Sequence, residues 1–430
     1  MKKEISLKNV TLFAIALLII SFTKDISAQM NIEGDFRFRW YGDSFSDTRD
    51  NRDKESYMRY LGRIRGNIRS TKNITFNTEI TTVVESPNNV SARNIAGTGK
   101  LNFKISQIFA ELTQPDFAFF DVIRVRLGRQ PFGMGKGLSF GESYYFLEKF
   151  DGARVDAAYR NYSLTLFGAI TGQNLSESGL YPEPGSDQIY VARITADYFN
   201  QNIMGYAINQ RLRGSFNDNL VFGGGITGSF LNDRLDYFGE IAHQSFNTVP
   251  SFPEKGGMGY MAGIGYRWSM GPFRSIKVET NYAAYQGDDA KTGKNEMFSP
   301  PFPSFFWGDR FGYVNGEIGG NYPNRGRNLE GSRIWYSRIY FIPQALPELR
   351  VQVQYLKISE YVDNDGYNSF DDELSVRLYY KILKNAQAQL RFSKGFPNGE
   401  DRDVNNSGTL SSSEDRYSYT RFMFEFTLAF

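Results

Sequence analysis

The sequence contains no cysteine and a single histidine among its 430 residues. The absence of cysteine excludes disulfide scaffolds, thiolate zinc sites, iron–sulfur clusters and thiol catalysis. A single histidine also excludes any metal site that needs several imidazole ligands. The chain has no excess of one charge, since 49 lysines and arginines stand against 47 acidic residues, a formal net charge of +2. Nucleic-acid-binding proteins usually carry a basic excess, so nucleic acid is not an expected partner.

Long hydrophobic runs are also scarce, and the clearest one lies at the N-terminus. A lysine-rich start precedes the apolar residues 10–22, and the small residue Ala28 stands just before Gln29. This order predicts a secretory signal peptide over residues 1–28 and a mature domain over residues 29–430. An uncleaved anchor is the alternative, but the run is short for a bilayer span. The exported chain either lies outside the membrane or spans one as strands.

A two-residue alternation of apolar and charged side chains favours strands. In residues 31–41 the apolar positions Ile32, Phe36 and Phe38 alternate with charged residues, and residues 57–69 repeat the pattern. A period of two segregates the two kinds of side chain onto opposite faces of a strand. These segments run about 9 to 13 residues, the length that a tilted strand needs to cross a bilayer.

The pattern predicts eighteen such strands, with sixteen as the alternative count. The predicted segments are 31–41, 57–69, 73–84, 101–113, 121–129, 153–160, 162–170, 189–199, 203–212, 220–231, 234–245, 258–269, 274–286, 332–341, 349–359, 373–382, 386–394 and 417–430. Their connections alternate between long and short, as in outer-membrane barrels with short periplasmic turns and long extracellular loops. The sequence therefore predicts an all-β fold, a transmembrane antiparallel up-and-down β-barrel.

The last predicted strand carries a more specific signal. Phe422, Phe424, Phe426 and Leu428 alternate with less apolar residues, and the chain ends on Phe430. This resembles the C-terminal insertion signal of bacterial outer-membrane proteins, which the barrel-assembly machinery reads. The expected location is the bacterial outer membrane, with its lipid and that machinery as partners. A soluble protein ending on such an apolar edge strand would be prone to aggregation.

Arginines dominate the face that the alternation turns toward the lumen. An eighteen-stranded barrel is too wide for its side chains to fill, so a water-filled channel is expected. The arginines expected to line it and contact the solute include Arg37, Arg39, Arg59, Arg63, Arg65, Arg124 and Arg126. Guanidinium groups bind carboxylates and phosphates in a fork, and low-dielectric walls strengthen their field. We therefore expect a path for anionic solutes; the alternative is that these arginines only pair with lumenal carboxylates and stabilise the wall.

A family resemblance accompanies this pattern. Leu127-Gly128-Arg129-Gln130, followed by Phe150-Asp151-Gly152-Ala153-Arg154-Val155, resembles a segment of the alginate-export family of outer-membrane porins. The resemblance implies an eighteen-stranded barrel whose arginine-rich pore passes an anionic uronate polymer. It also implies that Arg129, Asp151 and Arg154 contribute to selectivity.

Two long loops are candidates for narrowing the bore. Residues 130–152 are rich in glycine but lack the spacing of a phosphate-binding loop, so flexibility is the expected meaning. As the third long loop, this segment is expected to fold into the lumen as a constriction. Residues 287–331 contain aromatic clusters that would cap the pore, stack on sugar rings or pack on the barrel rim.

The final long loop matches the spacing of a twelve-position calcium loop. Oxygen donors stand at the expected positions, glycine at the sixth position and glutamate at the twelfth. The candidate ligands are Asp403, Asn405, Ser407, Thr409, Ser411 and Glu414. The sequence thus predicts no cofactor for transport and a possible structural calcium ion in residues 403–414. The alternative is an ordinary polar loop.

Other functions remain as alternatives. A general or phosphate-type diffusion porin would share the arginine-rich lumen. A barrel hydrolase would need a histidine beside a nucleophile or carboxylate, and alternation turns His243 toward lipid, so we expect no enzyme. A structural barrel with a plugged lumen would conduct nothing.

Overall fold

The computed structural model describes residues 29–46, 52–85, 102–139, 149–171, 187–211, 218–246, 255–287, 296, 298, 332–360, 371–397 and 418–430. Every strand that these residues form belongs to one antiparallel sheet. The strands are β1 (Gln29–Ser46), β2 (Arg52–Arg69), β3 (Ile74–Glu85), β4 (Asn102–Phe117), β5 (Phe120–Pro131), β6 (Lys149–Tyr159), β7 (Tyr162–Thr171), β8 (Asp187–Tyr198), β9 (Gln201–Arg211), β10 (Asp218–Phe230), β11 (Leu235–Phe246), β12 (Lys255–Met270), β13 (Phe273–Tyr285), β14 (Ser332–Pro343), β15 (Leu349–Glu360), β16 (Asp371–Leu383), β17 (Ala386–Pro397) and β18 (Ser418–Ala429). No helix in the described part of the chain is long and apolar enough to cross a membrane.

The sheet closes on itself through its first and last strands. β1 pairs with β2 on one side and with β18 on the other, and every strand neighbours those next to it in sequence. At the seam the backbones of Gly34 and Phe430 exchange two hydrogen bonds, of 2.8 and 2.9 Å. Closure leaves no sheet edge, which is the condition for a sheet to span lipid. The predicted all-β antiparallel barrel is confirmed, with eighteen strands rather than sixteen.

Several of the short turns at one end of the barrel contain residues with positive φ. Phe199 and Asn200, between β8 and β9, have φ of 47° and 62°. A two-residue turn with both φ values positive has the twist that suits a tight β-hairpin. Leu231, Asn232 and Asp233 form a similar turn between β10 and β11. The opposite end carries the long connections, as predicted.

The outward face of the barrel is apolar. Large hydrophobic side chains are exposed there at every second position, among them Ile32, Ile64, Leu112, Leu166, Ile194, Ile241, Ile264 and Leu390. β-branched and aromatic residues favour such extended, half-exposed positions. The residues between them face the lumen and carry the charged and buried polar side chains. This is the alternation that lipid outside and water inside require.

The strand ends differ from the predicted ones by a few residues, most at the hairpin between β1 and β2. β1 extends to Ser46 and β2 begins at Arg52, whereas the alternation placed those ends at 41 and 57. The predicted signal peptide (1–28), the candidate calcium ligands within 403–414 and most of the 287–331 loop lie outside the described residues and remain predictions.

Candidate permeation pathway

One side of the lumen is lined by arginines held by carboxylates. Arg63 on β2 donates to Asp35 Oδ2 on β1 from Nη2 at 2.8 Å and from Nε at 3.0 Å. Arg65 Nε lies 2.8 Å from Glu79 Oε2 on β3. Further lumenal pairs are Arg37 and Arg39 with Glu425, Arg124 and Arg126 with Glu111, and Arg154 with Asp156. Ion pairs thus order the guanidinium groups across β18 and β1 to β6.

The arginines also oppose one another directly. Arg126 on β5 is the cross-strand partner of Arg154 on β6. Arg377 on β16 is likewise the partner of Arg391 on β17, and both are buried. Like charges directly opposite would destabilise a sheet, and the carboxylates of Glu111 and Asp156 offset this for Arg126 and Arg154.

The wall formed by β6 to β15 carries an apolar cluster, which the segment after β5 covers. Phe132, Met134 and Leu138 are buried in a cluster with inward residues of β6 to β15. The Phe132 ring stacks on Phe167 of β7 with 4.2 Å between centroids, and Arg154 lies over its ring at 5.4 Å. The described part of the third long loop, residues 132–139, therefore lies inside the barrel against this wall, as expected of a constriction.

Glu240 on β11 anchors that segment. Its Oε2 accepts a hydrogen bond of 2.8 Å from the backbone N–H of Lys136, and its Oε1 accepts one of 3.0 Å from the Tyr206 hydroxyl. Tyr206 also bonds Ser139 at 2.9 Å. A Cβ on Gly135, where φ is +61°, would lie 2.5 Å from the Glu240 carboxylate. The glycine therefore allows the close approach that this anchor requires.

A second insertion comes from the connection between β13 and β14. The Phe298 side chain is fully buried against Tyr285, with 6.1 Å between ring centroids. A Cβ on Gly259 would lie 2.3 Å from the Phe298 ring. One aromatic residue of the predicted loop therefore packs inside the wall; its other aromatic residues lie outside the described part.

The motif that carried the family resemblance divides between the two faces. Arg154 faces the lumen, but Arg129 and Asp151 lie on the outward face. Arg129 donates to Asp151 Oδ2 from Nη2 at 2.7 Å and to Oδ1 from Nε at 2.9 Å. The two side chains are 30% and 45% exposed. Strand alternation explains this correction, because the neighbouring Gln130 and Phe150 point inward and are buried. The pair cannot line the pore.

Two glycines of this motif are required by close contacts with neighbouring backbone atoms. Gly128 and Gly152 are cross-strand partners. A Cβ on Gly128, where φ is +119°, would lie 2.4 Å from the carbonyl oxygen of Ile108, and one on Gly152 would lie 2.2 Å from that of Gly168. Both positions require a residue without a side chain.

Three lumenal residues were not among the sequence-based predictions. Arg338 on β14 lies 3.2 Å from Glu279, and Arg421 on β18 is buried. Both continue the inward alternation of their strands, so the alternation alone would have found them. The alternation also places Glu240 inward, but its partners come from a distant loop and the sequence gave no signal for that contact. Arg59 pairs in register with Arg39, but its side chain is outside the described set.

The single histidine takes no part in the lumen. His243 is exposed on the outward face of β11, beside Ile241 in the alternation. Within the described residues, no group of three or more histidine, aspartate or glutamate side chains could hold a metal ion. The described lumen therefore offers arginines, carboxylates and aromatic rings.

No protein-family model matches the chain, and no curated protein matches it. Solved structures do match. OccAB3 of Acinetobacter baumannii is 12% identical with a TM-score of 0.55, covering 93% of this chain and 100% of that chain. OccK2 of Pseudomonas aeruginosa, solved in complex with glucuronate, is 10% identical with a TM-score of 0.55, covering 93% and 98%. The outer-membrane protein OpdK of the same organism, solved with vanillate, is 12% identical with a TM-score of 0.55, covering 93% and 99%.

These matches establish a shared fold over nearly the whole of both chains. The chain thus has the eighteen-stranded architecture of these barrels. The resemblance to alginate-export porins stays a hypothesis, since none of these matches shows it.

Proposed function

We propose that this protein is a passive channel of the bacterial outer membrane that conducts small anionic solutes, carbohydrate acids among them. The observation that carries the proposal is the concentration of arginines on the inward face of β1, β2, β5 and β6, where carboxylates order them. Guanidinium groups held in place by carboxylates act as preorganised forks for a passing carboxylate. Their ion pairs order the groups but leave Arg65 and Arg124 side chains 43% and 41% exposed.

The inserted loop supports selectivity rather than open diffusion. Residues 132–139 narrow the lumen beside the arginine-lined wall, with Phe132 against the Arg154 guanidinium, so a solute is brought close to the charged groups. Two of the similar barrels were solved with glucuronate and vanillate, each of which carries a carboxylate. Passage of a longer uronate polymer, as in alginate export, is the narrower form of the same proposal.

Conductance and flux measurements test the proposal. Purified protein in planar bilayers under a KCl gradient should give a reversal potential close to the equilibrium potential of chloride. Proteoliposomes should swell faster in glucuronate than in glucose. Preference for potassium would contradict the anion path, and absence of flux would indicate a structural barrel. Equal swelling in phosphate, glucuronate and glucose would indicate a general diffusion porin.

A further inference from the structure

We infer that the lumenal mouth at the short-turn end holds a binding cleft for an acidic sugar, built by β1 to β4. The inference rests on the proposed function and adds a site and a ligand class to it. A cavity of about 560 Å³ lies there. Its lining includes Asn31, Asn67, Asn77 and Phe109 together with Arg65 and Arg69.

Three amides and one aromatic ring form a continuous row across four strands. Asn31 pairs in register with Asn67, Asn67 with Asn77, and Asn77 with Phe109. Each shares the inward alternation of the charged residues on its strand. Three inter-strand spacings make the row roughly 14 Å long. The row is therefore long enough to contact more than one sugar ring.

The amides present the donors and acceptors that vicinal hydroxyl groups need. Asn67 Nδ2 donates to Asn77 Oδ1 at 2.8 Å, and Asn31 Nδ2 donates to Glu33 Oε1 at 2.9 Å. These bonds orient the amides and leave the Asn67 oxygen and the Asn77 nitrogen as an acceptor and a donor side by side. Adjacent hydroxyls of a sugar, one donating and one accepting, match that pair.

The row beside the amides places one guanidinium group, that of Arg65, between the carboxylates of Glu33 and Glu79. Glu33, Arg65, Glu79 and Gln107 are partners in register across the same strands. Glu79 is buried and accepts from Arg65 Nε at 2.8 Å and from Ser106 Oγ at 2.6 Å. Arg65 remains 43% exposed, and a guanidinium has five N–H donors. Arg65 also lies 3.5 Å from Asp35 Oδ1, so two carboxylates already hold it. Its remaining N–H donors and the exposed Arg69 at the rim line the cleft and are the cations that a ligand carboxylate would meet.

Phe109 gives the cleft an apolar end. Arg126 lies over its ring at 5.5 Å, which fixes the ring beside the cationic wall. A plain dicarboxylate would use only the arginines, and a neutral sugar only the amides and the ring. A uronic acid uses all three, and this combination identifies the ligand class.

Titration calorimetry with the detergent-solubilised full-length barrel tests the cleft. The probes are digalacturonate, glutarate, which lacks hydroxyls, and galactose, which lacks charge. We expect the wild type to bind digalacturonate about tenfold tighter than either other probe, from two or more added hydrogen bonds. In the double variant Asn67→Ala/Asn77→Ala, digalacturonate should bind no better than glutarate. Asn202→Ala, at the same mouth but on β9, is the matched control and should bind all three as the wild type does.

Asn67→Asp keeps the side-chain shape and places a negative charge in the row, so it should weaken digalacturonate binding even if the double variant fails to fold. Equal affinity of the wild type for digalacturonate and glutarate would overturn the cleft while leaving the anion channel intact. Retained preference in a folded double variant would overturn it as well. If the wild-type protein shows no anion selectivity in the conductance experiment, the proposed function itself is rejected.

Discussion

The backbone N–H of Lys136 donates a hydrogen bond to Glu240 Oε2 across the lumen, at 2.8 Å. The two residues belong to the inserted loop and to β11, more than a hundred positions apart in the chain. Because the carboxylate also accepts from Tyr206, one buried side chain holds the loop to the wall. The width of the channel therefore depends on this contact together with the stacking of Phe132 on Phe167.

Replacement of Glu240 by alanine should widen the channel. The change leaves the Lys136 N–H and the Tyr206 hydroxyl without their acceptor, a loss of about 1–3 kcal/mol for buried groups. The inserted loop is then bound less strongly to the wall, so single-channel conductance should rise and become noisier. Glu240→Gln keeps an acceptor oxygen of the same reach and should resemble the wild type. Unchanged conductance in Glu240→Ala would show that apolar packing alone holds the loop.

Arg126 and Arg129 allow a matched test of the two faces, since they lie three residues apart on β5. Arg126→Glu places a negative charge in the lumen beside Glu111 and should shift the reversal potential toward cation selectivity. Arg129→Glu places the same charge on the outward face, so the reversal potential should stay that of the wild type, although loss of the Asp151 pair should lower stability. An equal shift for both substitutions would contradict the placement of Arg129 outside the pore.

The outward face can be tested with a charge in the apolar band. Ile64 is 52% exposed on that face, and a lysine there would meet hydrocarbon. The cost is about 2–4 kcal/mol near the middle of a bilayer and smaller toward its surfaces. Ile64→Lys should therefore lower the free energy of unfolding of the barrel in liposomes, measured by urea titration.

Asn202→Lys is the control for this substitution, because Asn202 faces the lumen on β9 and bonds Asp197 at 2.6 Å. A lysine at that position gains a carboxylate neighbour and stays in water. Equal losses for Ile64→Lys and Asn202→Lys would mean that the band does not face lipid.

The alternation of side chains predicted most of the fold and the charged wall. Residues such as Arg63 and Arg126 follow from strand periodicity alone, because each inward position is fixed by its neighbours two residues away. The prediction that Arg129 lines the pore was wrong, because a short motif does not fix the face of a strand and the alternation with inward Gln130 turns Arg129 outward. The contact of Glu240 with the inserted loop could not be predicted from the sequence, because the path of that loop depends on tertiary packing. The amide row could not be predicted from the sequence either, because it depends on the register of four paired strands.

The candidate calcium loop at residues 403–414 lies outside the described residues and stays a prediction from its spacing. If it binds, calorimetric titration of the full-length protein with Ca²⁺ should show a site, and Mg²⁺ should bind more weakly because it prefers a smaller octahedral shell. Glu414→Gln removes the bidentate ligand at the twelfth position and should abolish the Ca²⁺ signal. Glu400→Gln removes an equal charge just outside the twelve positions and should leave the signal unchanged. Equal loss in both variants would mean that general negative charge, and not the loop, attracts the ion.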